Sequence, residues 1–314
     1  MWQRLCGALG CFILATNVTA SQLNFVALGD LPYGPDTTAG AKYRALINAI
    51  NRTDSQFSIH VGDFKSGSTA CSDEQFLLQR EHFEQFRIPV VYTPGDNEWT
   101  DCHRKNNGGY DPLERLSKLR GLFFSPKTSL GASPMPLESQ SLALPSFSAY
   151  VENQRWVREK ILFITVHIVG SNNNFETRDL KAVEEFFERD RANRAWIDSG
   201  FDLAVQEGLN AVVIAFQADV FESASAEATF PRHSGFANVV GETLLPRAKR
   251  FGRPVLLING DTHKFRFGRP FFLNGRSLEN VYQLVVPGDQ DVRAVHIGIN
   301  TLARDPFTLR LIDP

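Results

Sequence analysis

The sequence has little cysteine, no surplus of positive charge and almost no long apolar run. It contains four cysteines in 314 residues, and its 33 basic and 35 acidic side chains give a formal net charge of −2. Without a basic surplus there is little to hold a polyanion, so we do not expect dedicated nucleic-acid binding. Apolar residues are plentiful, at 43% of the chain, and a chain of this length can bury a substantial core.

The amino terminus has the pattern of a secretory signal. Arg4 precedes an apolar stretch, Leu5–Ala15, and Val18-Thr19-Ala20 is a small-residue cleavage pattern. The apolar stretch is too short to cross a bilayer. We therefore predict a signal peptide over residues 1–20 and one secreted or periplasmic domain over residues 21–314, with no transmembrane anchor after cleavage. A buried N-terminal strand or helix is the alternative interpretation.

Cleavage of the signal would also change the cysteine content. It would remove Cys6 and Cys11 and leave Cys71 and Cys102. Two remaining cysteines in an exported protein are a fair candidate for one disulfide. The sequence does not show whether their Cα atoms come within bridging distance, so two buried free thiols are the alternative.

In the first half of the chain, predicted strands and helices alternate. Apolar strands at Leu23–Leu28, Phe57–Val61 and Ile88–Tyr92 are each followed by a helical stretch. Ser72, with a glutamine three residues on, predicts the start of the second helix, and Asp111, before a proline, predicts the start of the third. Strand–helix–strand repetition with short links indicates a parallel sheet covered by helices.

The second half is less regular. Ser125–Ser148 is predicted to be a long loop, and a charged helical stretch precedes another apolar strand, Ala211–Phe216. Two predicted strands, around Phe147–Val151 and Ile161–Val169, have a short polar link that suggests a hairpin. An antiparallel finish is predicted from three closely spaced strands: Val281–Val286, Val292–Ile299 and Phe307–Ile312. We expect two sheets packed together with helices outside.

Four apolar runs end in the same way, with glycine followed by aspartate. The aspartates are Asp30, Asp63, Asp96 and Asp261. Ligands of open α/β sheets sit at the carboxyl ends of strands, so we expect these side chains to gather on one edge. Clustered carboxylates repel one another unless cations lie between them, and this pattern therefore favours a metal site. Gly-Asp is also a common turn pair, which is what we expect of Gly288-Asp289.

The same segments resemble the motifs of a known family. In order, they read "GDLPYG", "VGDFKSG", "PGDNEW", "AFQADVF" and "NGDTHKF". This series resembles calcineurin-like metallophosphoesterases, the group that contains the purple acid phosphatases, and in particular a divergent, exported, mostly bacterial branch. The resemblance implies an α/β fold, a four-layer αββα sandwich of two mixed sheets flanked by helices. It also implies hydrolysis of a small phosphomonoester or phosphodiester substrate by metal-bound water or hydroxide.

Carried over position by position, the resemblance implies a set of metal ligands with several departures. The implied ligands are Asp30, Asp63, Asp96, Gln217, Asp261 and His263, with Asp63 at the position of the carboxylate that bridges the two ions. A family histidine is replaced by Pro32, and Gln217 and Asp261 also stand where the family has histidine. In "PGDNE", Asp96 falls at the ligand asparagine, although an alternative register makes Asn97 the ligand. Such an oxygen-rich set suits Mg²⁺ or Mn²⁺ better than Zn²⁺, so we expect two divalent cations of this kind, with iron left open.

Asn97 also falls where the family has its catalytic histidine. An amide can donate a hydrogen bond to phosphate but cannot give up a proton. His103 and His167 are the candidates for a replacement acid; a surface-loop residue and a core histidine are the respective alternatives. Lys65 and Arg266 follow motif carboxylates and could offset phosphate charge, but we interpret them as solvated surface cations.

Two interpretations of function remain open from the sequence. The amides of Gly170–Asn174, "GSNNN", could bind phosphate oxygens or form a plain turn. The family residues lost at Pro32, Asn97, Gln217 and Asp261 motivate the alternative of a catalytically impaired member that binds an anion or a metal. A Rossmann-type nucleotide binder is excluded, because "GDLPYG" lacks the glycine spacing that cradles a pyrophosphate.

Overall fold

The structure is a computed structural model that describes residues 23–125, 127–221 and 234–314. The predicted signal segment, with Cys6 and Cys11, lies outside the described residues. Within these ranges, none of the helices combines the length and the apolar character that a membrane crossing requires.

Short strands and helices alternate along the described chain. The strands are β1 (Leu23–Leu28), β2 (Ser58–His60), β3 (Val90–Tyr92), β4 (Glu138–Ser139), β5 (Gln154–Arg158), β6 (Ile161–Thr165), β7 (Ala211–Ala215), β8 (Val255–Asn259), β9 (Arg266–Gly268), β10 (Phe272–Leu273), β11 (Arg276–Ser277), β12 (Val281–Val285), β13 (Ala294–Ile299) and β14 (Phe307–Ile312). The α-helices are α1 (Ala41–Ile50), α2 (Asp73–Glu84), α3 (Pro112–Phe123), α4 (Gln140–Ala143), α5 (Gly170–Asn173), α6 (Leu180–Gln206) and α7 (Leu245–Phe251). Wider π-helical turns precede α1 and α7, at Asp36–Gly40 and Ala237–Leu244.

The strands form two large mixed sheets. The five-stranded sheet has the order β14-β13-β1-β2-β3, in which β1, β2 and β3 run parallel and β13 is antiparallel to both of its neighbours. The seven-stranded sheet has the order β4-β5-β6-β7-β8-β12-β9, with a parallel centre from β6 to β12 and antiparallel strands at both edges. The predicted α/β fold with two mixed sheets is confirmed.

Three buried apolar layers explain the stacking. Alternate residues of a strand face opposite sides of its sheet. Thus Phe25 packs between the two sheets with Phe163, whereas its neighbour Val26 packs under the helices that cover the first sheet. A third layer, which contains Trp196 of α6, lies between the second sheet and its helices. This is the four-layer αββα arrangement, with the helices outside.

The predicted helix starts are confirmed in atomic detail. Ser72 accepts a hydrogen bond from the backbone N–H of Gln75 at 3.3 Å, and so caps α2. Asp111 caps α3 by accepting from the N–H groups of Leu113 and Glu114 at 2.9 and 3.1 Å. Both caps satisfy N–H groups that have no partner within the helix, which is why these residues stop the helix from extending further back.

Two strand predictions in the second half are wrong. The strand around Phe147–Val151 is absent: Pro145–Phe147 form a 3₁₀ turn, and β5 is the strand that pairs with β6. Proline lacks the N–H that a strand needs and suits the start of such a turn. The predicted antiparallel finish holds for β13 and β14, but β12 joins the other sheet, parallel to β8. The predicted loop Ser125–Ser148 carries the short elements β4 and α4.

The two cysteines of the described chain form a disulfide. Cys71 and Cys102 are bonded, with their Cα atoms 5.8 Å apart. The alternative of two free thiols is therefore wrong. The bond ties the segment before α2 to the 3₁₀ turn Thr100–His103, which follows the "PGDNEW" motif.

Candidate metal centre

The predicted ligands converge where the two sheets meet. Asp30, Asp63 and Asp96 follow the parallel strands β1, β2 and β3 of one sheet, and Gln217 and Asp261 follow β7 and β8 of the other. Hydrogen bonds join the two groups: the N–H of Asp261 donates to Asp30 Oδ1 at 3.1 Å, and Gln217 Nε2 donates to Asp63 Oδ2 at 3.1 Å. We expected these side chains to lie close together at the carboxyl ends of the strands, and their positions confirm this.

The aspartates themselves adopt the conformation that turns the chain. The φ angles of Asp30, Asp63 and Asp261 are 53°, 53° and 76°, in the left-handed region that aspartate tolerates better than most residues. The glycines in these motifs leave room for the carboxylates. A Cβ at Gly95 would lie 2.0 Å from Asp63 Oδ1, and one at Gly260 would lie 2.1 Å from Asp30 Oδ2. Glycine is therefore needed so that the carboxylates can pack against the backbone.

Asp63 is the most heavily hydrogen-bonded carboxylate of the cluster. Its Oδ1 accepts from the backbone N–H of Asn97 at 3.1 Å. Its Oδ2 accepts from Asn97 Nδ2 at 2.9 Å, from Gln217 Nε2 at 3.1 Å and from the hydroxyl of Tyr33 at 3.2 Å. Neutral amide and hydroxyl donors thus surround the residue that the family resemblance makes the bridging ligand.

The two side-chain amides point their nitrogen atoms at the carboxylates. Gln217 Oε1 accepts from the N–H of Gly170 at 2.6 Å, which leaves its Nε2 to donate to Asp63 and, at 3.3 Å, to Asp96 Oδ1. The Oδ1 of Asn97 faces Gly67, where a Cβ would lie 2.9 Å away. Two alignments of "PGDNE" with the family motif were considered, and the one in which Asp96 rather than Asn97 is the metal ligand fits this geometry.

Asp30, Asp261 and His263 form the other side of the cluster. His263 Nε2 lies 3.5 Å from Asp30 Oδ1, and its ring packs edge-on against Tyr33 with the ring centroids 5.2 Å apart. Asp261 Oδ2 accepts from the N–H of Asp219 at 3.0 Å. Burial lowers the pKa of His263, which favours the neutral imidazole that a metal ligand requires.

The electrostatics of the cluster call for positive charge. Burial raises the pKa of Asp30, Asp63 and Asp261 well above the usual carboxyl range, and the charge of Asp96 raises each of them further. Lys65 lies close by and is 1% exposed, so our interpretation of it as a solvated cation is wrong. Its Nζ donates to the carbonyl oxygens of Asn97 and Ser66, at 2.5 and 3.1 Å, rather than to a carboxylate.

Several residues that support the centre were missed from the sequence. Glu98 accepts from the N–H groups of Asp63 and Gly95, at 3.0 and 2.8 Å, and so holds two of the motif turns together. Asp219 orients Asp261 and is itself paired with Arg266. Arg266 is therefore committed to a carboxylate rather than free in solvent. Position inside the "PGDNEW" and "AFQADVF" motifs was the available signal for Glu98 and Asp219; Tyr33 had a comparable signal in "GDLPYG".

The "GSNNN" segment is a turn with an unusual backbone. Ser171, Asn172, Asn173 and Asn174 all have positive φ, between 49° and 61°. The hydroxyl of Ser171 donates to Asp96 Oδ2 at 2.7 Å and to Asp101 Oδ1 at 3.1 Å. The amide nitrogens of Asn173 and Asn174 donate to the carbonyl of Gly235 and to Glu185, at 3.0 and 2.8 Å. The geometry favours the turn interpretation over phosphate binding by these amides.

The two candidate acids lie in different surroundings. His167 is 0% exposed, and its Nδ1 lies 2.9 Å from Glu152 Oε1 within a buried network, which does not favour proton delivery to a substrate. His103 is exposed, and its Nδ1 lies 2.7 Å from the carbonyl oxygen of Thr100. His103, Thr100 and Asn174 all line a cavity of about 240 Å³.

Comparison with known proteins gives structural matches only. No family model matches the sequence, and no curated protein sequence does. A dimetal phosphatase from Danio rerio superposes with a TM-score of 0.54 at 11% identity, over 93% of this chain and 98% of that one. A structure of PhoD superposes with a TM-score of 0.51 at 12% identity, over 89% of this chain and 64% of that one. This chain therefore shares its fold with both of these proteins.

The residues of the centre fit a divalent cation on one side better than on the other. Asp30 and His263 present an oxygen and an imidazole nitrogen 3.5 Å apart, as two ligands of one ion would. Around Gln217 the atoms that face the carboxylates are N–H groups, which cannot coordinate a cation. Within the described ranges, no group of three histidine, cysteine, aspartate or glutamate side chains is already arranged to hold a metal ion.

Proposed function

We propose that this protein is a metal-dependent phosphoesterase that hydrolyses a small phosphorylated substrate. The observation that carries the proposal is the convergence of four aspartates at the junction of the two sheets, with the pKa of Asp30, Asp63 and Asp261 raised by burial. Such carboxylates become stable in their ionised form when a cation joins them. The fold shared with a dimetal phosphatase supports the same chemistry.

A divalent cation would supply the charge that activates water and neutralises phosphate oxygens. The protein residues would position the substrate. Asn97 Nδ2 and the Tyr33 hydroxyl lie together on Asp63, 2.9 Å from each other, and would donate to a phosphate oxygen in exchange for their present hydrogen bonds. Neither group gives up a proton at neutral pH, so the leaving group must be a good one or must receive its proton from elsewhere.

The cavity beside His103 is the proposed place for the leaving group. Thr100, on its wall, donates from Oγ1 to the carbonyl oxygen of Asp96 at 3.0 Å, which puts the cavity next to the cluster. Arg178 and Lys181 line it together with the carboxylates Asp111, Glu176 and Asp179, so the wall has mixed charge and suits a polar leaving group. We propose His103 as the residue that protonates the leaving oxygen.

The competing function is binding without turnover. The hydrogen bonds from Asn97, Gln217 and Tyr33 to Asp63 favour it, because they engage the family's bridging carboxylate with neutral donors. A protein of this kind would bind phosphate or a cation and would not hydrolyse esters.

Turnover of chromogenic esters distinguishes the two functions. We would incubate residues 21–314 with p-nitrophenyl phosphate and bis-p-nitrophenyl phosphate in the presence of Mn²⁺, Mg²⁺, Ca²⁺ or Zn²⁺. Asp63→Asn is expected to lower kcat/KM by at least about 100-fold, whereas Asp54→Asn, at an exposed ion pair with His296, leaves it unchanged. If no metal supports turnover but phosphate binding is measurable, the protein binds phosphate without hydrolysing esters and the phosphoesterase proposal is wrong.

We also propose that residues 21–314 form one exported domain. The small-residue pattern before residue 21 supports cleavage there. Expression with the first twenty residues intact, followed by amino-terminal sequencing of the exported product, is expected to give Ser21 as the first residue. Retention of Met1 or of the whole N-terminal segment on the exported protein would contradict this.

A further inference from the structure

We propose that the side-chain amide of Gln217 takes the place of a second cation, so that the centre binds one divalent ion, at Asp30 and His263. The proposal rests on the proposed function in assuming a cation site, but it concerns the number of ions rather than turnover. It differs from our expectation of two cations from the sequence.

The orientation of the Gln217 amide is determined from both sides. Its Oε1 accepts from the backbone N–H of Gly170 at 2.6 Å, and its Nε2 donates to Asp63 Oδ2 and Asp96 Oδ1 at 3.1 and 3.3 Å. A flipped amide would set its NH₂ group against the N–H of Gly170 and its oxygen against two carboxylates. Both changes are unfavourable, so the nitrogen is the atom that faces Asp63 and Asp96.

For Gln217 to coordinate a cation between these carboxylates, the same flip would be necessary. Only the amide oxygen can be a ligand, and it is bonded to Gly170. Gln217 is 0% exposed, so no water would satisfy the N–H left behind. The hydrogen bonds from Nε2 thus hold the two carboxylates together in the way that an ion would, but without adding charge.

The carboxylate atoms near Gln217 are also engaged already. A Cβ on Gly170 would lie 2.8 Å from Asp96 Oδ2 and 2.9 Å from Asp261 Oδ1, so both carboxylates already pack against the backbone there. On Asp63, Oδ2 accepts three hydrogen bonds, from Tyr33, Asn97 and Gln217. An oxygen with two lone pairs that accepts three donors has no free lone pair for a cation on this side.

The side of Asp30 and His263 is different. His263 Nε2 and Asp30 Oδ1 are 3.5 Å apart, and two ligands that each lie about 2.0–2.3 Å from one ion are separated by about this distance. The side chain of His263 is 32% exposed, so water or substrate can reach an ion held there. One open position of this kind is what a single catalytic cation needs.

Counting bound Mn²⁺ tests the proposal directly. Residues 21–314 are dialysed to equilibrium against Mn²⁺, and manganese per chain is measured by elemental analysis, with electron paramagnetic resonance to detect spin coupling between neighbouring ions. We expect one Mn²⁺ per chain and the spectrum of an isolated ion. Two Mn²⁺ per chain with a coupled spectrum, or no bound Mn²⁺, would overturn the proposal.

Substitution of Gln217 tests the cause. Gln217→Glu removes the NH₂ group and adds a charge, and it is expected to raise the content to two Mn²⁺ per chain with a coupled spectrum. Gln206→Glu makes the same chemical change at an exposed position near the end of α6 and should leave one Mn²⁺ per chain. A folded Gln217→Glu protein that still binds one Mn²⁺ would contradict the role of the amide.

The outcome is separable from the proposed function. If Gln217→Glu does not fold, as judged by circular dichroism, the count on the unsubstituted protein decides, with Gln217→His as a second, uncharged variant. One bound Mn²⁺ without hydrolysis of either ester would support this inference and contradict the proposed phosphoesterase function. Hydrolysis that depends on two bound ions would support the phosphoesterase function and contradict this inference.

Discussion

Two buried polar clusters in this protein have opposite electrostatics. The candidate metal centre contains Asp30, Asp63 and Asp261, whose pKa values are raised by burial and by neighbouring carboxylates. The second cluster, the His167 network, lies under the second sheet and contains Glu152 with His167, and Glu185 with Arg189. Its carboxylates are just as deeply buried, but their pKa values shift the other way.

The difference lies in the charged partner. Burial alone would raise the pKa of Glu152, but Arg120, which donates from Nε and Nη2 at 3.0 and 2.5 Å, and His167 together outweigh it and hold the pKa well below the usual range. Arg189 lowers the pKa of Glu185 in the same way. No arginine or lysine among the described residues makes an ion pair with Asp30, Asp63 or Asp261 within the distance that defines one. The His167 network carries its own countercharge, whereas Asp30, Asp63 and Asp261 have none of this kind.

Replacing a buried arginine of the His167 network should have the largest effect on the free energy of unfolding. Arg189 is 0% exposed and donates to Glu185, to the carbonyl of His167 and to Asn173. Arg189→Met leaves Glu185 charged and unpaired, so we expect the free energy of unfolding to fall by about 3–5 kcal/mol in urea titrations. Arg178→Met, at an ion pair on the surface, is the control and should not change it measurably. A fall of less than about 1 kcal/mol for Arg189→Met would remove the distinction between the two clusters.

The next largest effect is a pH-dependent one at Glu152. Glu152→Gln should lower the free energy of unfolding by about 2–3 kcal/mol at pH 7, because charge-assisted hydrogen bonds to Arg120 and His167 are lost. The folded-state pKa of Glu152 is lowered, so its contribution is complete above its unfolded pKa near 4.5 and is lost as the pH falls further. We therefore expect the difference between the two proteins to be constant from pH 7 to about 5 and to shrink below that. A difference that grows on acidification would have the wrong sign.

A smaller loss is expected where carboxylates pack against glycine. In Gly170→Ala the new methyl group would meet Asp96 and Asp261 at 2.8 and 2.9 Å, so both must move. We expect a loss of about 1–2 kcal/mol in the free energy of unfolding and weaker Mn²⁺ binding by calorimetry. Gly121→Ala is the matched control, since no atom lies within 4 Å of a Cβ there and the position is inside α3. It should gain up to about 1 kcal/mol. Equal behaviour of the two variants would contradict the tight packing.

The smallest predicted effect is a gain in stability. Asp261→Asn removes one of the uncompensated charges of the metal centre and keeps an oxygen that can accept from the N–H of Asp219. In the presence of chelator we expect the variant to be about 0.5–2 kcal/mol more stable than the unsubstituted protein. With saturating Mn²⁺ the order should reverse, because the ion stabilises only a protein that binds it well. Asp313→Asn, at an exposed position, should show neither change, and a loss of stability in chelator would show that the charge of Asp261 is already compensated.

Much of the architecture could be predicted from local pattern. Continuous apolar runs predicted five of the strands in the parallel parts of both sheets, β1, β2, β3, β7 and β8, and the caps at Ser72 and Asp111 predicted two helix starts. These features depend on residues that are neighbours in the sequence, so they can be predicted from the sequence alone. The displaced hairpin strand and the sheet membership of β12 were missed because strand pairing depends on distant partners.

The site was also predicted only in part, because some of its features are local and others depend on contacts between distant residues. The position of an aspartate after each strand is a local property, whereas the donors on Asp63 come from Tyr33, Asn97 and Gln217, up to 154 residues away. Lys65 follows a motif carboxylate by two residues, and its burial beneath the carbonyl of Asn97 has no sequence signal that we could identify.

The sequence by itself determined that aspartates would stand at the ends of apolar strands. Backbone preference and apolar periodicity act over a few residues, and they suffice for that result. Only the tertiary structure decided which atom of Gln217 faces Asp63, because that choice depends on the N–H of Gly170 from a third strand end. Hydrogen-bond direction is a property of the assembled neighbours, and no single segment of the chain contains it.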